Sequence, residues 1–318
     1  MSDETARTGT KTRRRVTGSF GETAHERIRQ FIQRHKRESY AGYILAGPYL
    51  LYMAIFFFIP VAYMFLVSFY TNVDIGTMEA ILTVQNYVKF FSSNLYMDAL
   101  YTTVEVSVVS TIFTILVSYP IAYFIVFTEW AYSKVLILLV IAPLLVGNVV
   151  RAFGWFALMG SSGVINQILG LVGLKYTLLR TKPGLVIAIS SVLMPFAVLI
   201  LMSVLYTIDK EIVEAAYNLG GNRLQTFFYV TFPLSLPGVV GATLISFVLT
   251  MGTFATDVFI GMPQVPMIAP FIYDVSAKDL NWPLGAAMGF ILLGVSLVFV
   301  YIYTKVINLQ HTAEGGLL

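Results

Sequence analysis

The sequence predicts an all-α membrane protein with about six transmembrane helices. Of its 318 residues, 57% are hydrophobic and only 12% are charged, whereas charged residues make up about 25% of ordinary soluble domains. Several stretches without any charge exceed the roughly 20 residues that a helix needs to cross a bilayer. Helices satisfy every backbone hydrogen bond within the segment, which a span in lipid requires. This composition therefore suits a bilayer rather than a water-soluble core.

The predicted spans lie on the uncharged stretches, because a charge at the bilayer centre costs roughly 2.5–3.5 kcal/mol even on insertion scales. The first stretch contains Pro48 and Pro60, which we expect to kink its helix. The chain has no cysteine, which excludes disulfides, thiol catalysis and Cys-ligated metals. In chain order, the predicted spans cover about 43–70, 100–127, 135–158, 185–206, 238–260 and 284–306.

Charge divides the chain into a basic tail over residues 1–39, a transmembrane domain over 40–306 and a short tail over 307–318. Ten of the twenty Lys and Arg precede residue 40. Basic residues ahead of a span keep that side in the cytoplasm and contact anionic lipid. We therefore expect both termini in the cytoplasm and no nucleic-acid partner.

The most informative connection is the predicted cytoplasmic loop over residues 207–238, between the fourth and fifth spans. Asp209 can cap a helix there, and Glu211 and Glu214 suit the positive end of its dipole. The helical spacing predicts one apolar stripe, on Ile208, Ile212, Ala216 and Leu219.

Two glycines at 220–221 are expected to end this helix and make a sharp corner. Asn222 and Gln225 have the spacing of a capping box, which predicts a second short helix. We expect Pro233 and Pro237 to end that helix before the fifth span. The loop would then present two short helices across the cytoplasmic face, where a soluble partner could bind them.

The same loop resembles the EAA loop of ABC importer permeases. Glu214, Ala215 and Ala216 are followed after three residues by Gly220, and then by Pro233 at the family's spacing. A chance Glu-Ala-Ala is the alternative, since all three are good helix formers. The resemblance implies a type I importer permease, in which these residues form the coupling helices that dock into ATPase subunits and transmit their closure.

Shorter matches along most of residues 40–305 are similar to the spermidine/putrescine importer permeases; they lie at 95–99, 118–122, 151–155, 163–166 and 281–284. The resemblance implies an inner-membrane permease, without enzyme activity or a cofactor of its own. Its partners would be an ABC ATPase dimer that binds the ATP, a second and distinct permease subunit, and a periplasmic substrate-binding protein. The implied substrate is a polyamine. Other small cations, opines, amino-acid derivatives and metal chelates stay open.

Three charged residues fall inside or at the edge of predicted spans: Glu105, Arg151 and Asp257. With a rise of about 1.5 Å per residue, all three lie in the outer half of the bilayer. We expect them to form a substrate path with Trp155, in which the carboxylates attract a cation and the indole contacts it. Two alternatives stay open, a salt bridge between Arg151 and one carboxylate, and snorkelling to the interface.

The competing hypothesis is an independent secondary carrier or channel, in which the 207–238 loop is only a connector. Such carriers usually contain two repeated halves, and no repeat is visible here. A third class, a membrane enzyme, lacks support, because the sequence contains neither an H-E-x-x-H motif nor a phosphate-binding G-x-x-x-x-G-K-[ST] loop. Copurification of an ATPase would distinguish the permease from the carrier.

Overall fold

The computed structural model describes residues 47–128, 132–171, 173 and 176–315, with side chains up to residue 306. The predicted basic tail over residues 1–39 lies outside the described residues. The chain divides into two units, Met1–Met64 and Phe65–Leu318. In the first unit the described part is helical from Gly47, with a π-helical turn at Ala54–Phe58 ahead of the predicted kink.

Eleven helices, one hairpin and three short 3-10 or π segments, Ala142–Leu145, Asp257–Gly261 and Asp274–Lys278, account for the regular structure of the described residues. The hairpin is antiparallel, with an irregular register at its turn. In chain order the elements are α1 (Gly47–Val67), β1 (Thr71–Asp74), β2 (Thr77–Glu79), α2 (Gln85–Ser92), α3 (Asn94–Phe127), α4 (Ser133–Ile141), α5 (Asn148–Met159), α6 (Val164–Leu171), α7 (Lys182–Leu205), α8 (Lys210–Asn218), α9 (Arg223–Met251), α10 (Ile268–Tyr273) and α11 (Trp282–Gly315).

Five of the described helices are long and apolar enough to span a membrane, namely α1, α3, α7, α9 and α11. The third predicted span, over 135–158, is wrong as one straight helix. Ser133–Leu145 and Asn148–Leu171 form a broken pair that is bent by 100°. Pro143 lies in a short 3-10 segment before the break, and Gly147 is extended, with ψ 145°. With this bent pair counted as one span, the described residues contain the six that the sequence predicts.

The predicted bounds of the fifth span, 238–260, are also wrong, because α9 begins at Arg223 and ends at Met251. Pro233 and Pro237 do not end a separate short helix. A π turn at Phe227–Thr231 is followed directly by a helical segment that has Pro233 near its start and Pro237 inside it. The second half of the predicted loop and the fifth span are therefore one continuous helix from residue 223 onward.

Helices α3, α7 and α9 pack against one another and form the centre of the second unit. Small residues let these helices approach closely, as is usual between membrane helices. A Cβ added to Gly238 on α9 would lie only 2.9 Å from the Val204 Cβ on α7. At the end of this bundle that adjoins α8, a hydrophobic cluster of buried side chains includes Tyr119, Leu205 and Val213. This cluster joins the predicted loop to the bundle.

Candidate functional site

The corner, defined here as residues 209–233, begins with the predicted N-cap. Asp209 Oδ1 accepts a hydrogen bond of 3.1 Å from the Glu211 N–H and so satisfies one free donor at the start of α8. The cap confirms the predicted start of this helix. Val213 is the buried residue of α8, with 7% of its surface exposed, and it anchors the helix to the bundle.

Gly220 ends α8 in a left-handed conformation, with φ +88°. Its N–H donates to the Tyr217 carbonyl at 2.9 Å, and the Gly221 N–H donates to the Ala216 carbonyl at 3.1 Å. This pair of bonds is the Schellman arrangement, in which the first residue after the C-cap is usually glycine. The predicted glycine corner is therefore confirmed, with Gly220 as the residue that needs the positive φ.

The second helix of the corner starts with the predicted capping box. Asn222 Oδ1 accepts from the Gln225 N–H at 2.8 Å, and Gln225 Oε1 accepts from the Asn222 N–H at 3.0 Å. Both donors at the start of α9 are thus satisfied reciprocally. The turn between α8 and α9, residues 219–222, is thus held by local hydrogen bonds.

Several large apolar side chains at the corner are exposed. Of the predicted apolar stripe only Ile208 is buried, whereas Ile212 is about half exposed and Leu219 is 91% exposed. The second helix adds Leu224 and Tyr229, which are also exposed. An apolar cluster of this kind on a helical corner is typical of a surface that a protein partner covers.

Glu214 lies on the same corner and is exposed. It makes no hydrogen bond or ion pair with the residues that the structure describes. Ala215 is exposed beside it and Ala216 is partly buried. Glu214 lines an open cavity of about 700 Å³, together with Tyr217 and Arg223 among others. Its carboxylate is therefore available to a partner rather than used as a local cap.

The charged residues predicted to form a substrate path have different surroundings. Glu105 on α3 forms an ion pair with Lys182 at the start of α7, with 2.7 Å between Glu105 Oε2 and Lys182 Nζ. Both side chains are partly exposed. The sequence analysis missed this pair, because 77 residues separate the two partners. Glu105 is thus reachable by a solute, and its role in the path stays a prediction.

Arg151 and Trp155 lie on α5, directly after the break. The predicted alternative of a salt bridge between Arg151 and a carboxylate is not formed within the described part of the chain, where the guanidinium donates instead to Asn148 Oδ1. Trp155 Nε1 donates to Ser191 Oγ on α7 at 2.6 Å, which attaches α5 to the bundle. Their predicted contact with substrate remains untested.

Asp257 is fully buried, at 0% exposure, in a π turn that follows α9. Its Oδ2 accepts from the Met267 N–H at 2.8 Å. A Cβ at Gly261 would collide with Asp257 Oδ1. The residue therefore holds the segment between α9 and α10 in place, and in this structure its carboxylate is not open to a solute. Among the described residues, no group of three or more His, Asp or Glu is arranged to hold a metal.

A family model described as "Binding-protein-dependent transport system inner membrane component" matches residues 44–308. The chain belongs to this family. It is the permease component of a binding-protein-dependent ABC importer and lies in the inner membrane. The predicted family and function are confirmed, and this is a family of transport permeases rather than of enzymes.

Relatives of this permease carry polyamine transport names. The chain is 29% identical over 255 residues to the spermidine/putrescine transport system permease protein PotB of Haemophilus influenzae, covering 79% of this chain and 89% of that protein. It is 26% identical over 269 residues to the protein of the same name from Escherichia coli K12, covering 83% and 98%.

A solved structure shows the same fold. A chain of a bacterial alginate ABC transporter, in complex with an alginate-bound periplasmic protein, superposes with a TM-score of 0.69 at 19% identity. The match covers 84% of this chain and 93% of that chain. The predicted all-α ABC importer permease fold is thereby confirmed.

Proposed function

We propose that this permease forms one half of an ATP-driven import path for a polyamine-like cation, and that its corner docks a separate ATPase subunit. The observation that carries the docking proposal is the combination of exposed Leu219 and Leu224 with an exposed Glu214 that is unpaired among the described residues. Exposed apolar area favours association with a protein, and an unpaired carboxylate provides for a charge-assisted hydrogen bond.

The proposed assembly follows the organisation that the resemblance implies. A second, distinct permease would complete the path, a periplasmic binding protein would deliver the substrate, and an ATPase dimer would bind the ATP. The ten basic residues before residue 40 favour cytoplasmic termini. With that orientation the corner lies on the cytoplasmic side. Four spans precede it when the bent pair is counted as one crossing beside α1, α3 and α7, and an even number of crossings returns the chain to the side of its N-terminus.

Polyamine is the proposed substrate class because of the relatives' names and because a partly exposed carboxylate lies on α3. Glu105 could attract a cation, although Lys182 neutralises it in this structure. In this proposal the periplasmic binding protein makes most of the selection among substrates. The permease would then need only a weakly cation-favouring path.

Copurification tests the proposed function. The tagged chain, expressed in its native host, should bring an ATPase subunit and a second permease subunit through detergent purification. Proteoliposomes of that complex should accumulate labelled spermidine only with ATP inside and binding protein outside. Uptake by the chain alone, driven by an ion gradient, would instead establish the secondary carrier.

The substrate-path role of Glu105 predicts opposite effects for the two partners of its ion pair. Glu105→Gln should raise the KM for spermidine uptake about two- to fivefold, and Lys182→Gln should lower it, because removal of the lysine frees the carboxylate. This range is about 0.4–1 kcal/mol, the upper part of the roughly 0.2–1 kcal/mol that exposed pairs contribute. If the pair is only structural, both variants should reduce uptake in the same direction.

A further inference from the structure

Two helices with interrupted hydrogen-bond ladders lie side by side next to the corner. Pro120 lies inside α3 and lacks the N–H that would bond to the carbonyl four residues earlier. On α9, the π turn Phe227–Thr231 changes the ladder to five-residue spacing. Prolines and π turns are the usual places where helices bend. Each helix is therefore locally deformable at the level of the corner.

Tyr119, the residue before Pro120, connects these two segments. Its ring packs edge-on against Phe227, with 5.7 Å between centroids, and tilted against Phe232, at 5.8 Å. Its hydroxyl lies 2.7 Å from Ser235 Oγ in the buried interior. One side chain of α3 thus contacts both the π turn and the first turn of the segment that follows it.

The direction of the hydroxyl bond follows from a count of donors. Ser235 has one hydroxyl hydrogen, and it is donated to the Phe232 carbonyl at 2.9 Å. The Tyr119 hydroxyl is therefore the donor to Ser235 Oγ. Replacing Tyr119 by Phe removes this link without leaving a buried donor unpaired, which keeps the cost to folding small.

The corner shares a hydrophobic cluster with this link. Val213, the buried residue of α8, belongs to the same cluster as Tyr119, and Phe227 packs against that cluster. Packed interiors transmit displacement instead of absorbing it. A force applied to α8 would therefore reach Tyr119 through close packing.

We propose that Tyr119 is a positioning residue that transmits movement of the corner to α3, through its hydroxyl bond to Ser235 and its ring contacts with Phe227. The inference rests on the proposed docking function of the corner. Tyr119 ties the deformable part of α3 to the deformable part of α9, so that the two helices move together when the corner is displaced.

The test compares Tyr119→Phe with Tyr123→Phe in the purified complex. Tyr123 lies one turn further along α3, and its ring also contacts Phe227, at 5.5 Å, but its hydroxyl makes no hydrogen bond with the described residues. In proteoliposomes, Tyr119→Phe should lower the amount of spermidine imported per ATP hydrolysed by roughly three- to tenfold, the range expected for one lost hydrogen bond. Tyr123→Phe should leave the amount of spermidine imported per ATP hydrolysed at the value of the unmodified permease.

Ser235→Ala provides an independent measurement of the same bond. It should reduce the import-to-ATP ratio at least as much as Tyr119→Phe does, because it also leaves the buried Tyr119 hydroxyl without its acceptor. The double variant should be no worse than Ser235→Ala. An unchanged ratio in Tyr119→Phe, or a loss that only parallels reduced permease abundance, would overturn the inference. Copurification of the ATPase tests the docking role of the corner separately. If the Tyr119→Phe complex assembles with the ATPase and its coupling is unchanged, only the role of Tyr119 is refuted. Absence of the ATPase from the unmodified permease would refute both proposals.

Discussion

Glu214→Ala should lower substrate-stimulated ATP hydrolysis of the assembled complex more than tenfold, while the amount of permease in the membrane stays near normal. The residue is exposed and forms no bond with the described part of the chain, so its removal costs the isolated permease little. At the interface, loss of one member of a charge pair costs roughly 2–5 kcal/mol, in part because the other member is left unpaired. Each 1.4 kcal/mol is about a factor of ten.

The chain offers a matched control on the same helix. Glu211 is also an exposed glutamate on α8, but it lies in the first turn, where its N–H bonds to the Asp209 cap. Glu211→Ala should leave stimulated hydrolysis within about twofold, as is usual for a surface substitution. ATPase activity and subunit ratios are measured on the same preparations. Equal losses of abundance and activity in Glu214→Ala would show that the residue supports only the local fold.

Gly220→Val should abolish most coupling without preventing membrane insertion. At φ +88° a β-branched residue is strongly disfavoured, and residues held in such regions cost about 1–3 kcal/mol each. The chain can relieve that strain by giving up the Schellman bonds at the end of α8, which would move Glu214 and Leu219 away from the second helix. The spans are unaffected, since a Cβ at Gly220 meets nothing within 4 Å.

A second substitution at Gly220 separates the effect of added side-chain atoms from the effect of backbone strain. Asn tolerates left-handed φ better than other non-glycine residues, so Gly220→Asn should retain several times more stimulated ATPase activity than Gly220→Val. Both variants add side-chain atoms to the same open space. Equal loss in the two variants would point to steric interference with the ATPase instead of backbone strain, and full activity in Gly220→Val would exclude a role for the corner's shape.

The local features of the corner could be predicted because each depends on residues a few positions apart. The Asp209 cap, the Asn222 and Gln225 capping box and the positive φ of Gly220 involve interactions within five residues. The membrane class and most of the spans follow from uncharged stretches, since hydration of charge opposes burial in lipid wherever the helix packs. These properties do not require knowledge of the neighbouring helices.

The tertiary structure decided the features that join distant parts of the chain. Packing against α3 and α7 lets α9 continue past Pro237, although proline usually ends a helix. The Glu105–Lys182 pair and the Tyr119–Ser235 bond join residues that are 77 and 116 positions apart, and no local pattern marks such partners. The burial of Asp257 likewise depends on the Met267 N–H that reaches it from ten residues away. Sequence alone determined that the chain spans the membrane and where its corner turns; the contacts between helices determined which charges a solute can reach and which side chains connect the corner to the spans.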